Sequence, residues 1–292
     1  MNILIVGASG LVGSNCQAYL SQFDEFAVLG THLSFETTNS VYFNSCDLAD
    51  TQNASLDEFG PEVIVHCGAL TFVDYCESHP EESHLKTVVS TQNLLAAARR
   101  HNSKFIFIST DYVFDGEQGP YAEGHPVNPI CVYGAHKLAA EQLVVNSGLA
   151  YLILRITNVY GDELRGKNFI ARMLNQIAAS EPIALTLPHD QYATPINARD
   201  VAKAIKVLLN GKKQGLYHLG STDYMNRFQL AERVIHKFAY EKAALTLTNT
   251  QALAQAAARP LNGGLLARKF LSEFPDFRFT NVDDYLTTKL HA

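Results

Sequence analysis

Residues 105–137 read FIFISTDYVFDGEQGPYAEGHPVNPICVYGAHK, and they contain the clearest evidence in the sequence for a fold class and a site. Its apolar run, Phe105–Ile108, is typical of a strand buried on both faces of a parallel sheet. Ser109, Thr110 and Asp111 follow directly, so hydroxyls and a carboxylate are expected at the carboxyl end of that strand. Open α/β sheets bind their ligands at this edge. The stretch therefore predicts a parallel α/β sheet with a site after this strand.

The same stretch ends in a Tyr-x-x-x-Lys pair, Tyr133 and Lys137, which opens a helix expected to run to about Asn146. Four residues make about one helical turn, so the two side chains share a face. A phenol beside an ammonium has a lowered pKa and can exchange a proton with a carbonyl or alcohol near neutral pH. Such a pair also occurs by chance on solvated helix faces. It indicates catalysis only in a chain that also binds a dinucleotide.

The amino terminus, MNILIVGASGLVG, predicts such a dinucleotide site. A strand is expected at Asn2–Val6 and a helix from about Leu11 to Gln22, with a G-x-x-G-x-x-G turn between them. The first glycine makes the turn, the second lets the backbone approach a pyrophosphate, and the third lets helix and strand pack closely. Exposed N–H groups and the helix dipole hold the anion. A glycine turn that binds nothing is the alternative. The cofactor contacts predicted here are Gly7, Ser9, Gly10, Leu11, Val12 and Gly13.

The second strand, expected at Phe26–Gly30, bears on the choice of cofactor. NAD-selective enzymes usually carry an acid after this strand for the ribose 2′-hydroxyl, but here Thr31 and His32 follow. No acid repels a 2′-phosphate, and Thr31, His32 and Ser34 can donate to one. The sequence therefore favours NADP(H), with NAD(H) as the alternative. For His32 an exposed loop histidine is equally open.

Further strands, at about Val41–Asn44, Val63–Cys67 and Tyr151–Arg155, are expected to end at the same edge. Asp47, after the first of them, would lie by the adenine, or would be a turn residue before a helix at about Thr51–Phe59. Small residues after the second would let a cofactor cross the strand ends. The remaining predicted cofactor contacts are Asp47, Leu48, Cys67, Gly68, Ala69, Thr71, Ser109, Tyr133, Lys137 and Ile156.

The order of elements predicts an α/β fold: one Rossmann-type, doubly wound parallel sheet of about seven strands with a smaller C-terminal lobe. We expect a dinucleotide-binding domain at 1–160, with 195–215 packing back on it, and a mostly substrate-binding lobe at 161–292. Asp200 is expected to cap a helix, and residues 72–77 to form a loop beside the site. Other expected elements are a helix at about Pro80–His101, strands near Ile183–Leu187 and Leu216–Leu219, and helices near Asn168–Ala179, Ala198–Leu209 and Arg227–Phe238.

Composition narrows the classes of function. The chain has 292 residues, 47% hydrophobic and 18% charged, and can bury a sizeable core. The formal charge of −6, with no basic run longer than two residues, argues against nucleic-acid or anionic-membrane partners. Five scattered cysteines without a C-x-x-C motif favour reduced thiols in the cytoplasm. We expect no signal peptide or membrane span. We also expect no metal site, since no His/Cys/Asp cluster has ligand spacing.

Taken together, these motifs resemble the extended short-chain dehydrogenase/reductase superfamily and, within it, the dTDP-4-dehydrorhamnose reductase family. The resemblance covers nearly the whole chain. It is carried by GASGLVG, CGALTFVD, STDYVFDG, YAEGHPVNPICVYGAHKLAAE, RITNVYG and the late ARPLN. STDYVFDG followed by P-x-x-x-YG-x-x-K is the specific part, whereas the glycine turn and Y-x-x-x-K identify only the superfamily.

The resemblance implies that hydride from a nicotinamide reduces the 4-keto group of a nucleotide-linked sugar. It implies that Tyr133 donates the proton, that Lys137 lowers the tyrosine pKa and holds the nicotinamide ribose, and that Thr110 hydrogen-bonds the reacting oxygen. Asp111 would meet the sugar, and a homodimer is the family habit. The substrate contacts predicted on this basis are Val73, Asp74, Thr110, Asp111, Tyr112, Phe114, Asn158 and Arg259.

Some positions depart from the family pattern and leave alternatives open. The segment after the fourth strand is His66–Ala69 instead of N-A-A-A, and Thr87 stands where an asparagine is usual. Asn158 and the Gly after Asn262 differ on the substrate side, which puts the identity of the sugar in doubt more than the chemistry. A sugar-nucleotide epimerase of the same superfamily is one alternative. Another is a non-catalytic subunit resembling the regulatory β subunit of methionine adenosyltransferase.

Overall fold

The computed structural model describes residues 1–47, 49–50 and 54–290, and a parallel sheet lies at its centre. The strands are β1 (Asn2–Val6), β2 (Ala27–His32), β3 (Ser40–Tyr42), β4 (Val63–His66), β5 (Lys104–Thr110), β6 (Tyr151–Ile156), β7 (Ile183–Pro188), β8 (Tyr192–Ala193), β9 (Gly215–His218), β10 (Met225–Asn226) and β11 (Ala243–Thr248). Seven of them form the central sheet in the order β3-β2-β1-β4-β5-β6-β9, and every neighbouring pair is parallel. All carboxyl ends therefore meet at one edge, and the predicted doubly wound sheet is confirmed.

Helices cover both faces of this sheet. The helices of the described residues, not all of which lie on this sheet, are α1 (Leu11–Leu20), α2 (Ala54–Phe59), α3 (Val73–Ser78), α4 (Pro80–His84), α5 (Ser90–His101), α6 (Val132–Val145), α7 (Phe169–Ala178), α8 (Ala198–Asn210), α9 (Arg227–Lys237), α10 (Arg268–Glu273) and α11 (Val282–Lys289). Alternate residues of β1 point to opposite sides. Ile3 and Ile5 pack with α1 and α8, whereas Leu4 and Val6 pack with α5 and α6. The continuous apolar runs in the strands are thus explained by burial on both faces.

The C-terminal half builds a core of its own. Helices α7, α9 and α11 pack around β7, with Ile170, Val234 and Leu286 fully buried. Strand β7 was predicted, but it pairs in parallel with β11, which was not predicted, and lies outside the central sheet. The two-residue strands β8 and β10 form an antiparallel pair. Helices α10 and α11 were also missed.

Several predicted boundaries were wrong. Strand β2 continues through His32, and β5 continues through Thr110. Residues 72–77, predicted as a loop, contain helix α3, because Cys76 on its inner side is fully buried beneath the site. Asn197, not Asp200, caps α8, since its side chain accepts from the Arg199 backbone N–H. The predicted residues Leu48 and 51–53 lie outside the described part of the chain.

One long helical stretch is interrupted by a wider turn. Helices α4 and α5 are continuous through a π-helical segment, Leu85–Val89, where a helix at about Pro80–His101 was predicted. Such turns often occur near functional sites. Thr87 lies on this segment, buried, and its hydroxyl has no hydrogen-bond partner among the described residues.

The packing of the glycine turn yields a first prediction. A Cβ on Gly13 would lie 2.2 Å from the Gly7 carbonyl oxygen, so Gly13→Ala must push helix α1 away from β1. Overpacking of this kind typically costs about 1–3 kcal/mol. We expect denaturant unfolding to show a lowered free energy of unfolding. Gly124→Ala is the matched control, because a Cβ there meets nothing within 4 Å. Equal effects of the two substitutions would contradict this account of the turn.

Candidate active site

The turn between β1 and α1 has the shape of an anion cradle. Gly7 has a φ of +83°, and a Cβ on it would lie 2.9 Å from the Gly68 backbone nitrogen. By contrast, a Cβ on Gly10 would make only an ordinary 3.5 Å contact, so the space above Gly10 is open. Among the described residues, no side-chain cap is recorded at the start of α1, and the first turn of this helix carries no acid. These features fit a pyrophosphate at the start of α1.

Behind the turn, Thr31 has a supporting position. It is 1% exposed, and its hydroxyl accepts a hydrogen bond from the Gly7 N–H at 3.3 Å. Its side chain therefore stabilises the glycine turn. The sequence had instead predicted that this hydroxyl can donate to a 2′-phosphate. His32 lies at the carboxyl end of β2, with Nδ1 2.7 Å from the Ser40 hydroxyl.

The predicted residues at the ends of β3 and β4 have different environments. Asp47 is exposed and its carboxylate accepts from the Ala49 N–H, so it is the turn residue that the sequence left open as one alternative. Gly68 packs against Gly7, and Cys67 precedes it half-buried at the edge of the sheet. Ala69 is half-buried and Thr71 is exposed, both past the end of β4.

The three predicted catalytic residues come together at the end of β5. Thr110 ends β5, and its hydroxyl accepts from the Tyr112 N–H at 3.2 Å and donates to the Asp111 carboxylate at 3.3 Å. Tyr133 and Lys137 are both buried on the face of α6 that packs against β5. The Lys137 ammonium donates to the Ile108 carbonyl at 2.5 Å and lies 4.1 Å from the centre of the Phe107 ring. Two hydroxyls and one cation thus lie where β5 meets α6.

The electrostatics of the pair differ from the prediction. Burial raises the pKa of Tyr133 well above its ordinary value, and the hydrogen bond from Thr110 offsets part of this. Burial lowers the pKa of Lys137 to about 8, although Glu141 and Cys67 act in the opposite direction. Removal from water penalises the charged form of each group. Tyr133 is therefore a neutral phenol at neutral pH, suited to donating a proton.

Three other predicted residues around β5 are engaged by the protein itself. Ser109 points to the opposite face from Thr110 and donates to Glu141. Phe114, predicted as a substrate contact, is fully buried and stacks on Tyr121 at 4.1 Å, so that prediction was wrong. Asp111 is 4% exposed and accepts from the Thr157 hydroxyl at 2.6 Å and the Gly264 N–H at 3.3 Å. Its carboxylate ties the site to the C-terminal segment and is not free to meet a sugar.

Helix α6 is held in register by a buried ion pair that the sequence analysis missed. The Arg155 guanidinium donates to both carboxylate oxygens of Glu141, at 2.9 and 2.6 Å. Both residues are buried, and Ser109 donates to the same carboxylate. The pair joins α6 to β5 and β6. Its only sequence signal was a charged residue inside each apolar element.

The predicted substrate side forms a second wall. The Arg259 guanidinium pairs with the Asp74 carboxylate at 2.7 Å, and the other carboxylate oxygen accepts from the Ala257 N–H. Val73 packs among the residues around Tyr133, as does Tyr112, whose ring centre lies 5.6 Å from that of Tyr133. Asn158 and Ile156 lie at the end of β6, with Asn158 in a left-handed conformation at φ 41°.

Two arginines on this wall were also missed. Burial raises the pKa of Tyr112 to about 12, while the positive charges of Arg259 and Arg227 partly offset it. Burial also lowers the pKa of Arg227, as do the nearby charges of Arg172 and Arg259. Within the described part of the chain, neither Arg227 nor Arg172 has a carboxylate within ion-pair distance. Arg259 and Arg227 therefore lie near Tyr112, and the exposed Arg172 lies near Arg227.

The comparisons with known proteins agree with this geometry. A parallel sheet with a glycine turn, followed by a hydroxyl, a tyrosine and a lysine, defines a Rossmann-type protein of the short-chain dehydrogenase/reductase kind. Residues 1–284 match the RmlD substrate binding domain. The chain belongs to that family.

The individual relatives have different names. One is the dTDP-4-dehydrorhamnose reductase of Salmonella typhimurium, 33% identical over 94% of this chain and 92% of that protein. Another is methionine adenosyltransferase 2 subunit beta of Xenopus tropicalis, 32% identical over 78% of this chain and 69% of that protein. Among solved structures, the Bacillus anthracis dTDP-4-dehydrorhamnose reductase in complex with NADP superposes with a TM-score of 0.85 at 26% identity, covering 98% of this chain and 97% of that one.

His66 provides a pH-dependent prediction. It is 1% exposed, neither ring nitrogen has a hydrogen-bond partner in the described residues, and burial followed by the Lys137 charge lowers its pKa from 6.5 to about 3. The unfolded chain therefore binds a proton near pH 6.5 that the folded chain rejects, so stability falls as the pH drops below that value. Between about pH 7 and about pH 5, the wild type should lose about 2 kcal/mol through this residue.

Denaturant unfolding of His66→Leu at the two pH values tests this expectation. The variant should lose about 2 kcal/mol less than the wild type on acidification. His189→Gln is the control, because His189 is exposed. If the free energy of unfolding of His66→Leu falls with pH as much as that of the wild type, His66 is not held neutral in the folded protein.

Proposed function

We propose that the protein uses NADPH to reduce the 4-keto group of a nucleotide-linked sugar. The specific reaction we propose is the reduction of dTDP-4-dehydrorhamnose to dTDP-L-rhamnose. The observation that carries this proposal is the packing of α6, with Tyr133 and Lys137 buried, against β5 and Thr110 at the sheet edge that also holds the glycine turn. Membership of the family and the dTDP-4-dehydrorhamnose reductases among its relatives support the choice of substrate. Cofactor-binding roles are proposed for Ser9, Leu11, Val12, Ala69, Thr71 and Ile156 by their position at this edge.

In this mechanism the bound nicotinamide supplies the hydride, and the chain supplies the proton. Hydride addition leaves negative charge on the sugar oxygen, and Tyr133 donates a proton to that atom. The raised pKa keeps the phenol protonated at neutral pH, while an alkoxide is a much stronger base, so the transfer is downhill. Thr110 donates a hydrogen bond to the same oxygen, where the charge develops.

Lys137 acts on the phenolate that remains after the transfer. It lies one helical turn from Tyr133 on the same face of α6, and below about pH 8 its ammonium is charged. A cation in a buried site stabilises a nearby anion more strongly than it would in water. We propose that the same ammonium also holds the ribose of the nicotinamide.

The nucleotide end of the substrate would lie on the wall formed by Arg172, Arg227 and Arg259. A diphosphate needs cations that are not already neutralised, and Arg172 and Arg227 have no carboxylate partner among the described residues. Guanidinium groups pair bidentately with phosphate oxygens. We propose that residues 161–292 mostly bind the substrate, and that 1–160 bind the cofactor, with 195–215 packing back on that domain. Helix α8, in that last range, packs on α1.

We also propose that the protein acts in the cytoplasm as a homodimer. The five cysteines are free thiols, as expected in a reducing compartment. Among the described residues, no helix is long and apolar enough to cross a membrane. Sedimentation at micromolar concentration would give the oligomeric state directly.

A non-catalytic subunit is the second candidate, because the relatives include methionine adenosyltransferase 2 subunit beta. Such a protein would bind NADPH and a partner but turn over no keto sugar. The retained Thr110, Tyr133 and Lys137 favour catalysis. The test of the proposed function therefore has to measure turnover and binding separately.

The decisive variants are at Tyr133 and Thr110. Wild-type protein, given NADPH and a panel of dTDP- and UDP-4-keto sugars, should consume the reduced cofactor. Tyr133→Phe should cut that turnover by about two to four orders of magnitude, because the proton donor is lost, and should leave cofactor affinity nearly unchanged. Thr110→Val should lower turnover and Thr110→Ser should largely restore it, since only the hydroxyl acts. The absorbance of the reduced cofactor measures each rate.

The controls separate the two candidates. Fluorescence titration with NADPH shows whether each variant still binds the cofactor. A folded Tyr133→Phe protein that reduces its sugar at the wild-type rate would refute the role of Tyr133. Tight NADPH binding without consumption on any keto sugar would favour the regulatory subunit.

A further inference from the structure

Two loops meet over helix α1, on the side of the predicted adenosine. One follows β2 (33–39) and the other follows β6 (157–168). Asn15 donates through Nδ2 to the Asp162 carbonyl at 2.8 Å, and Gln17 donates to the Asn39 carbonyl. Both donors lie in the first turns of α1, so one helix anchors both loops. The tips of the loops are thereby held close to each other.

Arg165 closes the gap between these loops. Its guanidinium carbon lies 5.2 Å from the centre of the Phe35 ring, a cation–π contact across the two loops. Phe35 is 39% exposed, so the stacked guanidinium lies beside solvent-accessible space.

The two acids in the Arg165 loop are engaged elsewhere. Glu163 accepts from the Lys167 and Asn168 backbone N–H groups, and the Asp162 carboxylate pairs with Lys289. No carboxylate of the described residues lies within ion-pair distance of Arg165. Its positive charge is positioned by an aromatic ring and not neutralised by an acid.

The position of this cation relative to β2 suggests its ligand. In dinucleotide-binding folds the 2′ substituent of the adenosine ribose lies beside the residues that follow the second strand. Strand β2 ends at His32, and Phe35 is three residues farther on, at most about 10 Å away along the chain. Thr31 and the Nδ1 of His32 are already hydrogen-bonded within the protein. Among the described residues, Arg165 is a cation at this place whose guanidinium has no carboxylate partner.

We propose that Arg165 binds the 2′-phosphate of NADP(H) and is the residue that makes the protein prefer NADPH to NADH. A guanidinium matches the geometry of a phosphate and forms two parallel hydrogen bonds with it. Phe35 holds the side chain in place before the ligand arrives, which reduces the entropy lost on binding. The inference rests on the proposed use of a nicotinamide cofactor, but it does not depend on which sugar is reduced.

The test is a binding experiment without sugar. NADPH, NADH and adenosine 2′,5′-bisphosphate are titrated into wild type, Arg165→Gln and Arg165→Lys, with cofactor fluorescence or calorimetry as the readout. Arg165→Gln should weaken NADPH and the bisphosphate about tenfold to a hundredfold, the range expected for hydrogen bonds to a charged group, and change NADH less than about twofold. Arg165→Lys should recover part of the loss, because it keeps the charge but not the bidentate geometry.

Arg199→Gln is the matched control, since Arg199 is an exposed arginine that also stacks on a ring, that of Tyr19 at 5.7 Å. It should leave both affinities unchanged. Equal weakening of NADPH and NADH by Arg165→Gln, or no weakening of either, would overturn the assignment. Because no keto sugar is present, a failure of the proposed reductase activity would leave this result standing, and the reverse also holds.

Discussion

A buried ion pair, Glu141 with Arg155, is the interaction on which the site depends. Its two oxygen–nitrogen contacts of 2.6 and 2.9 Å cross from α6 to β6, and Ser109 adds β5 to the same carboxylate. Removing one partner of such a pair typically costs about 3–5 kcal/mol, because the other charge is left buried and unpaired. The pair therefore sets the register of α6 against the sheet. One turn along that helix from Glu141 is Lys137, and one turn farther is Tyr133.

From that register follows the electrostatic character of the site. Burial raises the pKa of Tyr133 and lowers that of Lys137. A neutral phenol and an ammonium group with a lowered pKa therefore lie together in one buried site. Asp111 is also buried, and its carboxylate accepts hydrogen bonds from Thr157 and Gly264. These bonds link the sheet edge to the C-terminal segment. Polar groups fixed in this way do not need to reorganise when charge develops on a substrate. The rigid edge and the lobe beside it thus act as one preorganised site.

Local patterns in the sequence were sufficient for the central sheet, the glycine turn and the Tyr133–Lys137 face, because periodicity and turn chemistry determine them. These patterns did not predict which way individual side chains point or which distant residues they contact. A strand places successive side chains on opposite faces, and the sequence did not show that Thr110 would face the site and Ser109 the ion pair. Tertiary packing determines the burial of Phe114 against Tyr121. It also determines the positions of Arg227 and Arg165, which belong to segments distant in the sequence. Two-residue strands such as β8 carry no periodic signal at all.

In the proposed reaction, hydride passes from the cofactor to a sugar carbon while Tyr133 protonates the adjacent oxygen. This reaction can be followed by the transfer of deuterium. Wild-type protein is given NADPH deuterated at the transferred position together with dTDP-4-dehydrorhamnose, and the sugar product is analysed by mass spectrometry and NMR. The account predicts one deuterium on C4 of the product for each cofactor oxidised. Deuterium retained on the cofactor, or a product epimerised without net oxidation of NADPH, would contradict it.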